Sequence, residues 1–327
     1  MHGRGIESAS PLIGHQAVIT RARTGQDAAA TPRELTLAGS RLSVASMEQH
    51  RSSPVTTVVA SRNRRVELLA TLDRHTRPVI LVDNASTDGT PDAVAAACPD
   101  VRVVRESRNL GATARTIGVE LADTPYVAFA DDDSWWQPGA LELAVKILDD
   151  HPRVGLLAAR ILLGVDEVDD PVCLLMEHSP LRAAAGEPGT PVLGFVACAA
   201  VVRRDAFLAA GGFDPVVFFA GEEARLAIDL AADGWQLCYL PSLVVHHHPS
   251  PRRESNSSRD ALVARNDLLT AVMRRPWSAV LRIVFRALRC PTGRRGIVRA
   301  LPRLQDALAS RRRIPVRVEQ RLRQLGH

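Results

Sequence analysis

This sequence has almost no lysine and lacks the glycine-rich loops that commonly bind nucleotides. Lys146 is the only lysine, and it follows Val145 rather than a glycine. The lysine that a Walker A loop places against nucleotide phosphates is therefore absent, and no GxGxxG motif occurs either. These absences argue against a P-loop enzyme and give no support to a dinucleotide-binding domain.

Cysteines and long apolar runs are also scarce. The five cysteines are odd in number and widely spaced, with no CxxC pair. Such a set predicts neither a disulfide framework nor a zinc site, and it fits a reducing cytoplasm. The longest apolar stretch, Pro191 to Val202, has twelve residues, whereas a spanning helix needs roughly 18 to 20. With no signal peptide visible, the expected location is cytoplasmic.

Charge is divided unevenly along the 327 residues. The net charge is +5, but residues 274–327 contain fifteen arginines against Asp306 and Glu319, a net of +13 that leaves −8 for the rest. An acidic body with a basic tail suits a metal-dependent enzyme near an anionic lipid surface better than a domain that reads DNA. No nucleic-acid partner is expected.

The length, with 46% apolar residues, predicts one catalytic domain with attached segments. Residues 1–54 lack hydrophobic periodicity and are predicted to be a disordered extension. Residues 55–265 alternate strand-like and helical segments, which predicts an α/β domain with a mostly parallel central sheet flanked by helices. Residues 266–327 are predicted to form a helical, basic C-terminal extension.

The hydrophobic pattern predicts the elements of this α/β domain and its extension. Strands are predicted at 56–60, 78–82, 101–104, 126–130, 154–162, 193–202 and 236–240. Helices are predicted at 64–74, 90–98, 112–122, 141–148, 204–210, 222–232, 260–273, 277–289, 297–310 and 316–325. The segment 164–190 is polar and punctuated by Pro and Gly, which predicts a loop.

The helix predicted at 277–289 is amphipathic and basic. Its apolar face carries Trp277, Val280, Leu281, Val284 and Leu288, and its arginines, at 282, 286 and 289, lie on another face. Such a helix can lie in a membrane interface, giving peripheral attachment to the inner face of the membrane. The alternative is that the apolar face packs on the catalytic domain and the arginines are solvated.

Three consecutive carboxylates, Asp131 to Asp133, follow the strand predicted at 126–130. Ligands of open α/β sheets usually bind at the carboxyl ends of strands. The cluster can therefore hold Mg²⁺ or Mn²⁺ together with the phosphates of a nucleotide. The alternative is that Asp133 or Ser134 caps the next helix and the other carboxylates are solvated.

Seven motifs occur in one order at plausible spacings. They are VVASRNR (58–64), VDNASTDGT (82–90), SRNLGATARTIG (107–118), FADDD (129–133), GGFD (211–214), GEEARLAIDL (221–230) and VHHHPS (245–250). Together they resemble the family 2 glycosyltransferases of the GT-A fold, over roughly residues 55–265. The resemblance implies an inverting enzyme that moves a sugar from a nucleotide-diphosphate donor, of UDP or dTDP type, to a hydroxyl of a glycan or lipid-linked acceptor in cell-envelope glycan, polysaccharide or glycolipid synthesis.

The resemblance also implies which residues bind the donor. They are Ser61, Asn63, Asp83, Asn109, Gly111, Arg115, Asp131 and Asp132. Asp83 ends the second strand, where its carboxylate can accept a hydrogen bond from the N3 imide of uracil or thymine; the alternative is an Asx turn. Asn109 and Gly111 precede the amino end of a helix, a place suited to a close backbone approach near the donor.

Asp131 and Asp133 form the Asp-x-Asp pattern of these enzymes. The resemblance implies that Asp133 binds Mg²⁺ or Mn²⁺ directly and that Asp131 lies near the ribose and the metal. A neutral imidazole can complete such a site, and His246 is the expected ligand, with His248 second. The alternative is that three adjacent histidines on a surface loop have no function.

Glu222 and Glu223 begin a predicted helix, where acidic residues are favoured by the helix dipole alone. In the resembled family an acidic pair stands here, usually Glu then Asp, and its second member is the general base that deprotonates the acceptor hydroxyl. Glu223 is therefore the expected base and Glu222 the alternative. The second position here carries Glu, one methylene longer than Asp.

Two other functions remain compatible with the residues alone. A nucleotidyltransferase also uses acidic metal ligands on a related sheet, although it commonly needs a basic side chain for the triphosphate. A catalytically silent nucleotide-sugar-binding module or membrane-associated scaffold is suggested by the Glu-Glu pair and the basic tail. Release of a nucleoside diphosphate would distinguish a glycosyltransferase from both.

Overall fold

The computed structural model describes residues 53–249 and 256–327. The predicted disordered extension therefore lies outside the described residues, apart from its last two positions. The strands are β1 (Val55–Ser61), β2 (Val79–Asp83), β3 (Val101–Arg105), β4 (Tyr126–Ala130), β5 (Ser134–Trp136), β6 (Val154–Leu163), β7 (Val168–Asp169), β8 (Thr190–Pro191), β9 (Ala200–Arg203) and β10 (Gln236–His247).

Helices alternate with these strands and then continue alone to the end of the chain. They are α1 (Arg65–Thr71), α2 (Thr90–Ala97), α3 (Thr113–Glu120), α4 (Ala140–Asp150), α5 (Pro171–Glu177), α6 (Arg204–Ala209), α7 (Glu222–Ala232), α8 (Asn256–Arg274), α9 (Trp277–Ala287), α10 (Pro291–Ala300), α11 (Leu304–Ala309) and α12 (Val316–Gln324). Short 3-10 turns occupy Leu72–Arg74, Ala197–Ala199 and Leu301–Arg303.

The strands form one sheet in the order β3-β2-β1-β4-β9-β6-β10-β5, with β7 beside β6 and β8 beside β10. Pairing is parallel from β3 to β4 and between β6 and β10, while β9 is antiparallel to both of its neighbours. The chain order reverses at β1, which lies between β2 and β4. The carboxyl ends of β1 and β4 therefore border the crevice in which open α/β sheets bind ligands.

The central strands are buried because their residues are apolar or β-branched on both faces. Val58, Val59 and Phe129 are fully buried, and every residue of β4 is buried. A continuous apolar strand is expected where helices cover both sides of a sheet. This packing fixes the position of the carboxylates that follow β4.

Three sequence predictions differ from the structure in the second half of the domain. The segment 164–190 is not simply a loop, because α5 lies within it, with Asp170 capping the helix by accepting from the Val172 amide at 2.9 Å. The strand predicted at 193–202 is confined to β9, since the small residues before it form the 3-10 turn Ala197–Ala199. The strand predicted to end at Leu240 continues to His247 after a break in register between Leu240 and Val244.

The C-terminal helices pack against the rest of the protein rather than extending away from it. Leu268, Leu269 and Val272 of α8 form an apolar cluster with Val217, which precedes α7. Ile314, with Val318 and Leu322 of α12, joins the main core. Residues on the two sides of the predicted 265/266 boundary therefore share one packed interior. The boundary itself stays a prediction.

A buried ion network connects α8 to α7. Arg274 Nε lies 2.6 Å from Asp229 Oδ1, Arg225 also pairs with Asp229, and Arg225 Nη2 lies 3.1 Å from Asp214 Oδ2. All of these side chains are at most 12% exposed. The GGFD motif and the acidic helix are thus joined by charges that water does not screen.

Replacing Arg274 with methionine is expected to lower the free energy of unfolding by about 3 kcal/mol, because breaking a buried pair leaves a buried charge with less compensation. Urea denaturation measures the change. The matched control is Arg312→Met: Arg312 pairs with Asp233 at 2.6 Å, but its side chain is 63% exposed, so its loss is expected to cost less than about 1 kcal/mol. Equal effects of the two changes would contradict the buried network.

No helix within the described ranges is long and apolar enough to cross a membrane.

Candidate active site

The aspartate triplet leaves β4 at the switch point of the sheet. Ser134 Oγ accepts a hydrogen bond from the Asp131 amide at 2.8 Å, which folds the triplet into a tight turn. Asp132 turns back toward β1, where Ser61 Oγ donates to its Oδ2 at 2.8 Å. The middle carboxylate is therefore held by β1, while its two neighbours face other partners.

Asp132 occupies a crowded position for a carboxylate. Burial, followed by the charges of Asp131 and Asp133, raises its pKa to about 7. The Ser61 hydroxyl and Arg64 oppose this shift. Ser61 and Asp132, two of the predicted donor residues, thus lie in contact beside the crevice.

The three histidines at the end of β10 and just after it divide between two faces. His246 and His248 share a face, as strand alternation predicts, and both rings contact Trp135. His246 Nδ1 lies 3.2 Å from Glu167 Oε1, away from the aspartates. His247 points the other way, and its Nε2 lies 3.2 Å from Asp133 Oδ1. The structure therefore brings His247, rather than the predicted His246, next to the aspartates. The reason is that the aspartates lie on the opposite face from His246 and His248.

A group of possible metal ligands forms where these elements meet. One oxygen of Asp131, the Cys198 thiol and a ring nitrogen of His247 all lie within 4.8 Å of one another. Carboxylate and imidazole are suitable ligands for a divalent cation, so the donor set fits the metal that the Asp-x-Asp pattern implies. Asp133 adjoins the group through His247.

Arg115 connects this group to the acidic helix. It donates from Nη2 to Asp131, and its Nη1 lies 3.9 Å from Glu222 Oε1. Burial opposes its charge, but Asp131 and Glu222 outweigh burial and raise the pKa of Arg115. The predicted donor contact stays a prediction, and the structure places this guanidinium as a buried bridge between two carboxylates.

The acidic pair begins α7, as predicted, but its two members differ in exposure. Glu222 is 2% exposed, and its Oε2 has no hydrogen-bond partner. Burial, followed by the charge of Glu223, raises the pKa of Glu222 to about 8 despite the nearby Arg115. Glu223 is only half-buried. Glu223 is therefore the member of the pair that solvent reaches more easily.

A cavity of about 520 Å³ joins Asp131 of the triplet to the acidic pair. Asp131, Arg115, His247, Glu222 and Glu223 line one part of it. The remaining wall is largely apolar and comes from segments far apart in the sequence. Among its residues are Leu175, Met176, Leu193, Phe195, Phe219, Val263 and Leu325. No sequence motif marks this wall, because α5 lies in a segment predicted to be a loop and Leu325 lies at the far end of the chain.

The end of β2 provides a further polar site. Asp83 Oδ2 accepts from the Ser86 amide at 3.0 Å, which is the turn considered as the alternative. Its Oδ1 is buried and has no hydrogen-bond partner. An unpartnered buried acceptor is costly unless a donor reaches it, so the turn and the predicted contact with a base N–H are compatible.

The other predicted donor residues hold loops together. Asn63 Oδ1 accepts from the Thr87 amide at 2.8 Å, and Asn109 Oδ1 accepts from the Gly111 amide at 2.9 Å. Gly111 has φ +61°, and a Cβ there would lie 2.3 Å from the Phe218 carbonyl oxygen. The lack of a side chain at Gly111 therefore lets the segment before α7 pack closely against it. Donor contacts of these three residues stay predictions.

The fold is the GT-A fold of glycosyltransferases, and it places an acidic cluster at the switch point of the sheet and an acidic helix across the cavity. The family model "Glycosyl transferase family 2" matches residues 56–209. The chain is 32% identical over 235 residues to N-acetylglucosaminyl-diphospho-decaprenol L-rhamnosyltransferase of Mycobacterium tuberculosis, covering 60% of this chain and 75% of that protein. The chain belongs to glycosyltransferase family 2.

Further similarities are consistent with this assignment. The chain is 33% identical over 211 residues to pre-mycofactocin glycosyltransferase of M. tuberculosis, covering 61% of this chain and 44% of that protein. Two solved structures share the fold. The mannosyltransferase PcManGT of Pyrobaculum calidifontis, in complex with GDP-Man and Mn²⁺, has TM-score 0.52 and 21% identity, covering 85% of this chain and 76% of its own. S. aureus TarS 1-349 has TM-score 0.51 and 16% identity, with 81% and 82% covered.

Proposed function

We propose that this glycosyltransferase moves a sugar, with inversion, from a UDP- or dTDP-type donor to a hydroxyl of a lipid-linked glycan acceptor in cell-envelope synthesis. One observation carries the proposal: a single cavity joins the Asp131 and His247 group to Glu223. A donor held at the first end and an acceptor at the second can react in line. The relative named as a rhamnosyltransferase on a decaprenol-linked sugar supports the same acceptor class.

The residues divide the reaction between them. Asp131, Asp133 and His247 would hold Mg²⁺ or Mn²⁺, which supplies positive charge to the diphosphate that leaves. Glu223 accepts the proton of the acceptor hydroxyl as its oxygen attacks the anomeric carbon. Arg115 holds Asp131 and Glu222 in place, so both ends of the cavity share one support.

The lipid-linked acceptor is supported by the mouth of the cavity. Leu175 and Phe219 line the cavity and are 45% and 44% exposed. His178 and Arg259 line it as well. Apolar side chains beside the Arg259 guanidinium and the His178 imidazole match a polyprenyl diphosphate, which has an apolar chain next to negative phosphates.

A donor screen tests the proposed function. The full chain is incubated with Mn²⁺, an acceptor of the polyprenyl-diphosphate-sugar class, and UDP- or dTDP-linked sugars in turn. Release of a nucleoside diphosphate together with an extended lipid-linked product supports the proposal. Release of pyrophosphate would support the nucleotidyltransferase instead, and nucleotide binding without product would support the silent binding module.

Peripheral attachment to an anionic membrane is a further part of the proposal. In α9, Val280 faces inward, whereas Leu281 and Phe285 are 56% and 62% exposed. Trp277 and Leu288, at 53% and 47%, share their face. Arg282, Arg286 and Arg289 are exposed beside it. The structure therefore divides the predicted apolar face: part packs inside and part forms an exposed patch flanked by arginines.

Replacing both Leu281 and Phe285 with glutamate is expected to lower partitioning onto vesicles of phosphatidylglycerol and phosphatidylcholine by about tenfold or more, since each buried apolar side chain contributes about 1.5–3 kcal/mol. Vesicle sedimentation measures the fraction of protein bound to the vesicles. The control is Val66→Glu in α1, where Val66 is 77% exposed but lies far from α9 in the sequence. Unchanged partitioning of the double variant would contradict membrane attachment through α9.

A further inference from the structure

Cys198 brings a thiol into the group of carboxylate and imidazole ligands. It lies in the 3-10 turn Ala197–Ala199 and is 1% exposed. Its sulfur lies within 4.8 Å of a ligand oxygen of Asp131 and of a ring nitrogen of His247. All three residues line the same cavity as Glu222, whose buried Oε2 lacks a hydrogen-bond partner.

The separations suit a common cation. Zinc binds sulfur at about 2.3 Å and nitrogen or oxygen at about 2.0–2.2 Å, which places tetrahedral ligands roughly 3.3–3.7 Å apart. The ligand atoms lie within 4.8 Å of one another, so small side-chain movements can bring them to these separations. Cys198, Asp131 and His247 come from three separate elements, so the group can tighten without unfolding any one of them.

The chemical nature of the ligands decides which cations gain from the thiol. Magnesium and manganese prefer oxygen ligands, whereas thiolate favours zinc, cobalt and other softer ions. Aspartate and histidine serve both classes. A cysteine among them therefore adds affinity mainly for the softer class.

We propose that Cys198 is a thiolate ligand at the donor-metal site, so that Zn²⁺ binds there and competes with Mg²⁺ or Mn²⁺. On binding, the sulfur–metal bond forms as the thiol proton passes to solvent. This inference rests on the metal site of the proposed function. Zinc binding in this arrangement makes the enzyme sensitive to inhibition by zinc.

The competing view is that Cys198 only fills space in the core, as buried cysteines often do. Cys98 and Cys238 are also buried, and neither belongs to a possible metal-ligand group among the described residues. Cys290 is exposed. These cysteines provide internal controls for the metal titration. If an isolated thiol were enough to bind the metal, they would give the same thiolate signal, and that signal would persist when Cys198 is replaced.

Titration of the full chain with Co²⁺ tests the proposal, because a cobalt–thiolate bond gives a charge-transfer absorption that oxygen and nitrogen ligands do not. The wild type and Cys290→Ser are expected to show the band, and Cys198→Ala and Cys198→Ser to lack it. By calorimetry, Zn²⁺ affinity is expected to fall about 10- to 100-fold in both Cys198 variants, with Mn²⁺ affinity changed less than about threefold.

Two results would overturn the inference: a band that persists without Cys198, or Zn²⁺ affinity equal to that of the wild type. The Cys198→Ser variant keeps the size of the side chain, so it remains informative if the alanine variant does not fold. Nucleoside diphosphate release is measured separately with Mn²⁺. A wild type that shows the band but transfers no sugar refutes the proposed function alone, whereas transfer without the band refutes the thiolate ligand alone.

Discussion

Glutamine in place of Glu223 is expected to lower kcat by about 10²- to 10⁴-fold, the usual contribution of a general base. Glu223 lines the cavity at the amino end of α7 and is half-buried. A carboxylate in that position can accept the proton of an acceptor hydroxyl, and an amide of the same shape cannot. Nucleoside diphosphate release at saturating donor and acceptor measures the loss.

Glutamine in place of Glu222 is expected to change kcat much less, by about tenfold or below, although the two glutamates are adjacent. Burial raises the pKa of Glu222 to about 8, so near neutral pH its carboxyl carries a proton and resembles the amide. A protonated acid is a poor base. If Glu222→Gln lost more activity than Glu223→Gln, the roles of the pair would be reversed.

Stability measurements check the state of Glu222 without relying on turnover. Because its folded-state pKa lies above the ordinary glutamate value of 4.5, the folded protein holds this proton more tightly than the unfolded chain does. The resulting stability is present at low pH and is lost as pH rises from about 4.5 to about 8. The Tm of Glu222→Gln is expected to fall less than that of the wild type across this range.

The sequence predicted those parts of the site that depend on one local segment. The apolar run before Asp131 matches β4 residue for residue, and the helix predicted at 222–232 matches α7. Both are short-range patterns: a buried strand and a helix with acidic residues in its first turn. The resemblance added the order of the motifs, and the switch point of the sheet then places the carboxylates where the fold binds ligands.

The rest depends on contacts between distant segments, which a local pattern does not contain. Alternation correctly grouped His246 with His248, but only the pairing of β10 with β6 and β5 shows that His247 faces Asp133. Cys198 gave no motif, since its possible partners lie 67 residues earlier and 49 residues later. The resemblance predicts Arg115 as a donor contact, whereas its bridge to Glu222 joins two motifs that no local pattern relates.

Asparagine in place of Asp133 is expected to remove the stimulation of donor binding by Mn²⁺ and to lower kcat by about 10²- to 10³-fold or more, the usual effect of losing a group that stabilises charge on a leaving group. Asp133 is buried in the turn after β4, with Oδ1 3.2 Å from His247 Nε2. Removing its charge weakens the metal site directly and removes the carboxylate that lies beside His247. Calorimetric titration with UDP and dTDP, with and without Mn²⁺, measures the first effect.

The matched control is Asp123→Asn, because Asp123 is exposed just before β4, at the opposite end of the strand from the triplet. It makes the same change of charge but lies away from the crevice, so donor binding and kcat are expected to stay within about twofold of the wild type. Should Asp133→Asn retain metal-stimulated binding, the cation would have to be held by Asp131 and His247 without it. The second carboxylate of the Asp-x-Asp pattern would then stabilise the turn after β4 rather than bind the metal.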